Sequence, residues 1–295
     1  MPAHPQEYAP DGLPRSKRVV LGRKVVVVDH GSGEPVVFVH GNPSWSYSFR
    51  HQIDALAKRY RVVAPDLLGF GGSEGPAGGA TFIDQADMLE GLLEELDLGP
   101  LYLVLHDWGG PVGLRWAARN AEHVKRLVLI NTTASPEFCP PLYWRPFTAP
   151  LLGDLLVRRL NLFLIGLPLA LRAAQDREVW AHYRSAFQGS ASREAILKFE
   201  RQDGFRKVLE EVDGKLSNLR MPCLIIWGEP DFYFRRKDRR DLLHRFPQAR
   251  LFPVAGGGHF PFEDRPEEVT RALEAFFLES KGARGASAET EHVRP

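Results

Sequence analysis

Short runs of valine, isoleucine and leucine recur along this chain, and most of them are separated by helix-like patterns. A continuous apolar run indicates a strand buried on both faces, which is typical of a parallel sheet covered by helices in an α/β protein. The predicted strands are 23–29, 35–40, 60–66, 101–107, 126–132, 222–228 and 249–255. Only Gly-Ser-Gly-Glu at 31–34 separates the first two, so we predict that they form a hairpin at the edge of the sheet.

The helical patterns divide the chain into a core and an insertion. Apolar residues at helical spacing mark 82–98, 112–121 and 266–278 as helices of the core. Residues 133–214 are rich in Leu, Arg, Trp and Pro and predict several helices without strands, which is typical of a helical lid over the carboxyl edge of a sheet. The predicted domains are therefore a core at 20–132 and 215–279, a lid at 133–214, an N-terminal segment at 1–19 and a disordered tail at 280–295.

Charge and composition exclude several classes of protein. A formal net charge of +1 gives no reason to expect nucleic acid or an anionic membrane as a partner. The N-terminus lacks the apolar segment of a signal peptide, and no apolar run approaches the roughly 18 residues of a membrane span. Cys139 and Cys223 match no metal-binding spacing. We therefore predict a cytoplasmic protein with no metal and no cofactor.

The segment LYLVLHDWGG at 101–110 places a carboxylate where a predicted strand ends and a helix begins. Asp107 ends the strand, and the two glycines let the chain turn sharply into the helix. This layout is typical of a nucleophile elbow, a strained turn that lifts one side chain above the sheet. The usual elbow has glycine two places before the nucleophile, where this chain has Leu105. The alternative interpretation of Asp107 is a helix N-cap.

Two further segments supply partners for an elbow. The strand at 36–39 runs into His-Gly-Asn-Pro at 40–43, so the backbone N–H groups of Asn42 and Trp108 are placed to form an oxyanion hole. The glycine-rich loop at 255–258 presents His259, a candidate base. The alternative interpretation of His-Gly-Asn-Pro at 40–43 is an ordinary tight turn, since Gly, Asn and Pro favour turns.

The third catalytic residue should be a carboxylate that orients the histidine. Asp231 follows the strand at 222–228 and completes the order nucleophile, acid, base, with Glu229 as a weaker candidate. The other place for an acid, after the preceding strand, holds Asn131. Gly71–Gly75 fits the pattern G-x-S-x-G, but Ser73 lacks the strand-turn-helix context of a nucleophile.

A carboxylate nucleophile indicates a particular chemistry. It attacks an electrophilic saturated carbon and forms an ester with the enzyme. Water activated by His259 then attacks that ester, while Asp231 holds the imidazole in the required tautomer. The indole N–H of Trp108 and the side-chain amide of Asn42 are neutral donors for a departing anion. For Trp108 the alternative interpretation is a packed aromatic near the elbow.

Four motifs of this chain are typical of one enzyme family: HGNPSWSY at 40–47, PDLLGFGGS at 65–73, HDWGG at 106–110 and LINT at 129–132. By these motifs the chain resembles, from roughly Val25 to Leu278, the haloalkane dehalogenases, which are α/β-hydrolase-fold enzymes. The resemblance implies a mostly parallel sheet with helices on both faces and a helical lid after the fifth to sixth strand. It also implies Asp107 as nucleophile, His259 as base, and Asn42 with Trp108 as the halide site. The position of Asp231 is similar to the third dehalogenase subgroup, which also resembles the β-lactone decarboxylases of bacterial olefin synthesis.

The sequence leaves several functions open. The leading hypothesis is hydrolysis of a small hydrophobic haloalkane to an alcohol and a halide. The second is cleavage of an alkyl β-lactone to an alkene and carbon dioxide, with the enzymes of the olefin pathway as partners. The third is epoxide hydrolysis, for which Tyr143 and Tyr183 are candidate acidic donors on the lid. The fourth is a ligand receptor without catalysis, against which the intact nucleophile, acid and base argue.

Overall fold

The computed structural model describes residues 7–8, 11–171, 176–187 and 189–279. Nine strands form one sheet, in the order β1-β2-β3-β5-β4-β6-β7-β8-β9. Their bounds are β1 Glu7–Tyr8, β2 Pro14–Val20, β3 Arg23–Gly31, β4 Glu34–Val39, β5 Tyr60–Pro65, β6 Leu101–Asp107, β7 Val124–Thr132, β8 Cys223–Glu229 and β9 Ala249–Ala255. All seven predicted strands are present, and the predicted α/β class is confirmed.

The sheet has a parallel part and an antiparallel end. Strands β4 to β9 run parallel to their neighbours, whereas β1, β2 and β3 pair antiparallel, and β3 also pairs antiparallel with β5. Every residue of the central strand β6 is buried, as expected for a strand covered by helices on both faces. The carboxyl ends of the parallel strands therefore meet at one edge of the sheet, where ligands bind in folds of this kind.

The prediction that β3 and β4 form a hairpin is wrong. Strand β5 lies between them: Val28 pairs with Ala64 on one side of β5, and Val36 pairs with Val62 on the other. The buried run 35–39 of β4 belongs in the interior of the sheet, so the chain crosses over after Gly31. The true hairpin joins β2 to β3 through Leu21 and Gly22, which both have positive φ (48° and 76°), as a type I′ turn requires.

The helices cover both faces of the sheet and fill the insertion. Those of the core have the bounds α1 Arg50–Leu56, α2 Phe82–Leu96, α3 Gly109–Arg119, α10 Arg236–Arg245, α11 Pro261–Asp264 and α12 Pro266–Leu278. Helix α2 packs against α3, while α1 packs against α12. Between β7 and β8 the structure has α4 Arg145–Thr148, α5 Leu162–Ala170, α6 Arg177–Ala186, α7 Ser190–Glu200, α8 Phe205–Glu210 and α9 Asp213–Leu216, with a π-helix at Asp154–Arg159.

We call residues 133–222, between β7 and β8, the inserted segment. Its described residues contain helices and no strand. The segment 1–19, predicted to precede the core, contains most of β2, which is a strand of the sheet. The predicted tail at 280–295 lies outside the described residues. No helix in the described ranges is both long enough and apolar enough to cross a membrane.

Candidate active site

Asp107 lies in a strained turn between β6 and α3. It is the last residue of β6, and its φ of +51° is in the left-handed region that side chains other than glycine rarely adopt. The hydroxyl of Thr132 donates a hydrogen bond of 2.5 Å to the Asp107 carbonyl oxygen and holds the turn. The turn has the backbone conformation expected of the predicted elbow and places the carboxylate at the carboxyl edge of the sheet.

Two glycines make room for this turn. A Cβ atom on Gly41 would lie 2.1 Å from Oδ1 of Asp107, and a Cβ atom on Gly110 would lie 1.9 Å from Oγ1 of Thr132. No side chain fits at such distances, so the loop after β4 and the first turn of α3 approach the carboxylate with bare backbone. Backbone N–H groups can therefore reach Asp107 directly.

The loop after β4 presents one of these N–H groups. The backbone N–H of Asn42 donates to Oδ1 of Asp107 at 2.6 Å, and the backbone N–H of Trp108 also donates to this carboxylate. His40 fixes the loop, because its Nε2 accepts from the Leu67 N–H at 2.9 Å and its Nδ1 donates to the Gly41 carbonyl at 2.8 Å. Burial lowers the pKa of His40 to about 4, so its ring stays neutral and its role is structural.

His259 lies between the two aspartates that the sequence singled out. Its Nδ1 is 3.0 Å from Oδ2 of Asp231, and its Nε2 is 3.5 Å from Oδ2 of Asp107. Burial disfavours the charged imidazolium, but the negative charges of Asp231 and Asp107 outweigh it and raise the pKa of His259 to about 10. At neutral pH the resting site therefore holds a protonated histidine between two carboxylates.

Asp231 is fixed by Asn131, a residue whose role the sequence did not predict. The Asn131 amide donates to Oδ2 of Asp231 at 2.7 Å, and it is itself held by two hydrogen bonds with the backbone of Gly228. The backbone N–H groups of Tyr233 and Phe234 donate to the other carboxylate oxygen, at 2.7 and 3.1 Å. The amide at the end of β7 thus orients the carboxylate that follows β8.

The weaker candidates for catalytic roles are engaged elsewhere. Oε1 of Glu229 is 2.5 Å from Nη1 of Arg239 and forms an ion pair with it. The hydroxyl of Ser73 donates to the Asp66 carbonyl at 2.7 Å and accepts from the Val26 N–H at 2.8 Å. Ser73 therefore joins a loop to β3, as expected for a serine outside an elbow.

We expect Asp231→Asn to lower kcat by up to ~10⁴-fold, the size of effect that removal of a histidine-orienting aspartate has in comparable triads. The amide cannot stabilise the imidazolium, and its NH₂ group would face the N–H of the histidine. Glu229→Gln is the matched control, two residues away and outside the hydrogen-bond network, and should keep kcat within a few-fold. Steady-state kinetics of both variants decide the assignment, and the opposite ranking would move the acid role to Glu229.

A third buried carboxylate, Glu200, lies at the site and was missed by the sequence analysis. It ends α7, is 3% exposed, and faces the cavity beside Asp107. Its Oε1 accepts from the Asn42 amide at 2.6 Å, and its Oε2 accepts from the Trp144 indole and, at 3.4 Å, from the Tyr233 hydroxyl. Burial raises the pKa of Glu200 to about 8, despite these hydrogen bonds, and the nearby charge of Asp107 adds to the effect.

The cavity above these groups has a volume of about 300 Å³. Asp107, His259, Asn42 and Glu200 supply its polar lining, together with Tyr233. The rest of the wall is largely apolar and comes mainly from the inserted segment: Trp144, Phe147, Leu162, Phe163, Gly166 and Leu167. An apolar chamber with converging polar groups at one end is suited to a small hydrophobic ligand.

The remaining aromatic candidates are placed as follows. Trp108 is fully buried among the rings of Phe82, Phe138 and Phe205, and its indole hydrogen-bonds Glu200. Tyr143 donates to the Phe232 carbonyl, and Tyr183 donates to Glu263 at 2.7 Å. Neither tyrosine lines the cavity. The tyrosine that does is Tyr233, whose hydroxyl faces Glu200.

Comparison with known proteins places the chain among enzymes of related chemistry. Residues 34–266 match the family model described as the α/β hydrolase fold. The cis-3-alkyl-4-alkyloxetan-2-one decarboxylase of Shewanella oneidensis is 33% identical, over 88% of this chain and 87% of the relative. Haloalkane dehalogenase 2 of Mycobacterium bovis is also 33% identical, over 85% and 90%.

Solved structures agree with these relatives. The crystal structure of haloalkane dehalogenase DatA from Agrobacterium tumefaciens C58 superposes with a TM-score of 0.79, at 30% identity, covering 89% of this chain and 95% of that one. A putative ancestral haloalkane dehalogenase superposes with a TM-score of 0.80 at 26% identity, covering 88% and 97%. The chain therefore belongs to the α/β-hydrolase fold family and is a haloalkane dehalogenase-like enzyme, with β-lactone decarboxylases also among its homologues.

Proposed function

We propose that Asp107 is a nucleophile that displaces a leaving group from a saturated carbon, and that the substrate is a small haloalkane hydrolysed to an alcohol and a halide. The contact between His259 and both aspartates carries this proposal. Because the pKa of His259 is raised to about 10, the imidazolium is the counter-charge of an ionised Asp107. An ionised carboxylate in a dry apolar chamber is a competent nucleophile toward carbon.

In the first step, Asp107 forms a C–O bond to the substrate while the carbon–halogen bond breaks and the halide takes the electron pair. The side-chain amide of Asn42 and the indole N–H of Trp108 are the donors proposed for the departing halide. They already meet near Glu200, the group that ends α7. The inserted segment, which forms most of the apolar wall, is proposed to act as the lid that sets substrate size.

In the second step, His259 changes role because the charge on Asp107 has gone. Esterification removes one of the two charges that raise the pKa of His259, so the imidazolium gives up its proton more readily, and this proton leaves with the halide. The neutral ring then takes a proton from water, whose oxygen attacks the ester carbonyl. The oxyanion forms on Asp107 itself, where the N–H groups of Asn42 and Trp108 donate, and the alcohol departs.

The second candidate, a β-lactone decarboxylase, is favoured by the decarboxylase relative. Here Asp107 would attack the ring carbon that bears the lactone oxygen and free a carboxylate. Loss of carbon dioxide would then form the C=C bond and expel Asp107 unchanged. This route consumes no water and needs no base, so His259 would matter far less to it. Enzymes of the olefin pathway would be the partners in that case.

Two assays on the same preparation separate these functions. With 1-bromohexane we expect bromide and hexanol in equal amounts, and with a cis-3,4-dialkyl β-lactone we expect little alkene or carbon dioxide. Asp107→Ala serves as the blank for both, because it removes the attacking oxygen. Rapid alkene formation without bromide release would replace the leading function by the second and leave the role of Asp107 in place.

A further inference from the structure

Glu200 is a carboxyl group whose burial is energetically costly. It is 3% exposed, and no cation pairs with it among the described residues. Burying an unpaired carboxylate is costly, and such a group responds by holding its proton. Glu200 also ends an eleven-residue helix, where the negative pole of the helix disfavours a further negative charge.

The groups that face Glu200 come from four parts of the chain. They are Asn42 after β4, Trp108 after β6, Trp144 before α4 and Tyr233 after β8, and each donates a hydrogen bond to it. The titratable groups around it are Asp107, Tyr233 and His259, which line the same cavity. Asn42 joins two carboxyl groups directly, because its backbone N–H donates to Asp107 and its side chain to Glu200, both at 2.6 Å.

Two carboxyl groups so close together separate in protonation. Burial raises the pKa of both groups, but the imidazolium of His259 and two backbone N–H donors oppose this shift and keep Asp107 ionised, whereas Glu200 has only neutral donors and a like charge nearby. The pKa of Glu200, raised to about 8, leaves it neutral at pH 7. Environments that drive two carboxyl groups apart in this way assign one as nucleophile and the other as acid.

A halide gains nothing from such an acid. Halide ions and carboxylates are weak bases and leave without a proton, whereas an alkoxide is a strong base and needs one as the carbon–oxygen bond breaks. We propose that Glu200 is a general acid for an oxygen leaving group, with Tyr233 as the second donor, and that the enzyme also hydrolyses epoxides. This inference rests on the proposed role of Asp107 as nucleophile.

The protons and electrons of this reaction balance within the site. An oxygen of Asp107 attacks a ring carbon, the ring C–O bond breaks, and the ring oxygen keeps the electron pair and takes the proton of Glu200. The proton on His259 then passes to Glu200, which lines the same cavity, and restores its acid form. The neutral imidazole that remains deprotonates the attacking water. Release of the diol restores ionised Asp107, protonated His259 and neutral Glu200.

The acids that the sequence predicted for this reaction lie elsewhere. Tyr143 and Tyr183 were the candidates, but neither lines the cavity, and their hydroxyls donate to the Phe232 carbonyl and to Glu263. Glu200 and Tyr233 instead line the cavity, and 3.4 Å separates Oε2 of Glu200 from the tyrosine hydroxyl. Both groups are therefore placed to donate to one epoxide oxygen bound in the cavity. The tyrosine stays protonated, because burial and the negative charge of Asp107 raise its pKa well above the usual range.

The test compares 1,2-epoxyhexane with 1-bromohexane on the full chain. We expect wild-type enzyme to form hexane-1,2-diol, and Glu200→Gln to lower the ratio of diol formation to bromide release by at least ~10², the usual size of general-acid catalysis. Tyr233→Phe should lower the same ratio by a smaller factor. Glu194→Gln is the matched control, because this half-buried glutamate of the same helix pairs with Arg158 and does not line the cavity, and it should leave the ratio unchanged.

The pH profile gives an independent readout. The acid is present below the pKa of Glu200, so diol formation in the wild type should fall as pH rises above about 8, and the fall should be absent in Glu200→Gln. Bromide release without any diol, or a diol-to-bromide ratio unchanged by Glu200→Gln, would overturn this inference and leave the proposed function in place. Absence of both activities in the wild type would overturn the proposed dehalogenase function together with this inference.

Discussion

Asp107→Asn should abolish turnover of every substrate class considered above, with a loss of about 10⁶-fold in kcat, the scale seen when a hydrolase loses its nucleophile. The amide is nearly isosteric, and its oxygen can still accept from the Asn42 N–H that now donates to Oδ1 at 2.6 Å. The fold should therefore survive, while the nitrogen that replaces Oδ2 cannot attack carbon. The measurements are steady-state kinetics and a thermal melt of the same sample.

Mass spectrometry must accompany this variant, because deamidation of the introduced amide back to aspartate would restore activity. A verified amide variant with substantial steady turnover would contradict the nucleophile assignment. Thr132→Val is a useful companion, since it removes the 2.5 Å hydrogen bond to the Asp107 carbonyl and leaves the carboxylate in place. It should retain far more activity than Asp107→Asn.

His259→Gln should stop the reaction halfway and leave the substrate bound to Asp107. The first step needs an ionised carboxylate and donors to the leaving group, so loss of the imidazolium counter-charge slows it, whereas hydrolysis of the ester also needs a base. We expect turnover to fall by about 10⁶-fold, and one equivalent of bromide to be released from 1-bromohexane. A hexyl group should then be found on the peptide that contains Asp107, by mass spectrometry after digestion.

The location of the adduct discriminates between the assignments. A hexyl group on the peptide that contains Ser73 would contradict the mechanism, although the hydrogen bonds of Ser73 to Val26 and Asp66 argue against it. With a β-lactone the same variant should keep turning over if decarboxylation is the natural reaction, because that route needs no base. Continued turnover of 1-bromohexane without an adduct would remove His259 from the hydrolytic step.

Local sequence patterns predicted most of the sheet. Apart from β9, in which only Val254 is buried, each predicted strand contains a run of apolar residues that is buried in the finished fold, and such runs carry their signal within a few residues. Strand β2 was not predicted because its sequence, PRSKRVV, is mostly polar and has only Arg15 and Val20 buried. Its hairpin turn also places Leu21 at positive φ, where a leucine gives no turn signal. The order of the strands in the sheet was not predicted, because it depends on how the helices pack on the sheet and not on any local sequence pattern.

The candidate site divides in the same way. Asp107, Asn42 and Asp231 lie at or just after the ends of parallel strands, and His259 follows the loop after β9, so strand ends alone bring them together. Glu200 lies at the end of a helix of the inserted segment, and its meeting with Asn42 depends on how that segment packs. The one local clue was its position four residues after the buried Ile196, which puts a carboxylate on the buried face of α7.

Gly166, in the wall of the cavity, links the evolution of substrate choice to the stability of a helix. It lies in α5 and lines the chamber, and a Cβ atom added there would meet no other atom within 4 Å. Glycine within a helix lowers helix stability by roughly 1 kcal/mol relative to alanine. A larger residue would therefore shorten the chamber and strengthen α5 together, so selection for stability and selection for shorter substrates favour the same substitution. We therefore expect enzymes of this lineage that use long-chain substrates to keep glycine at this position.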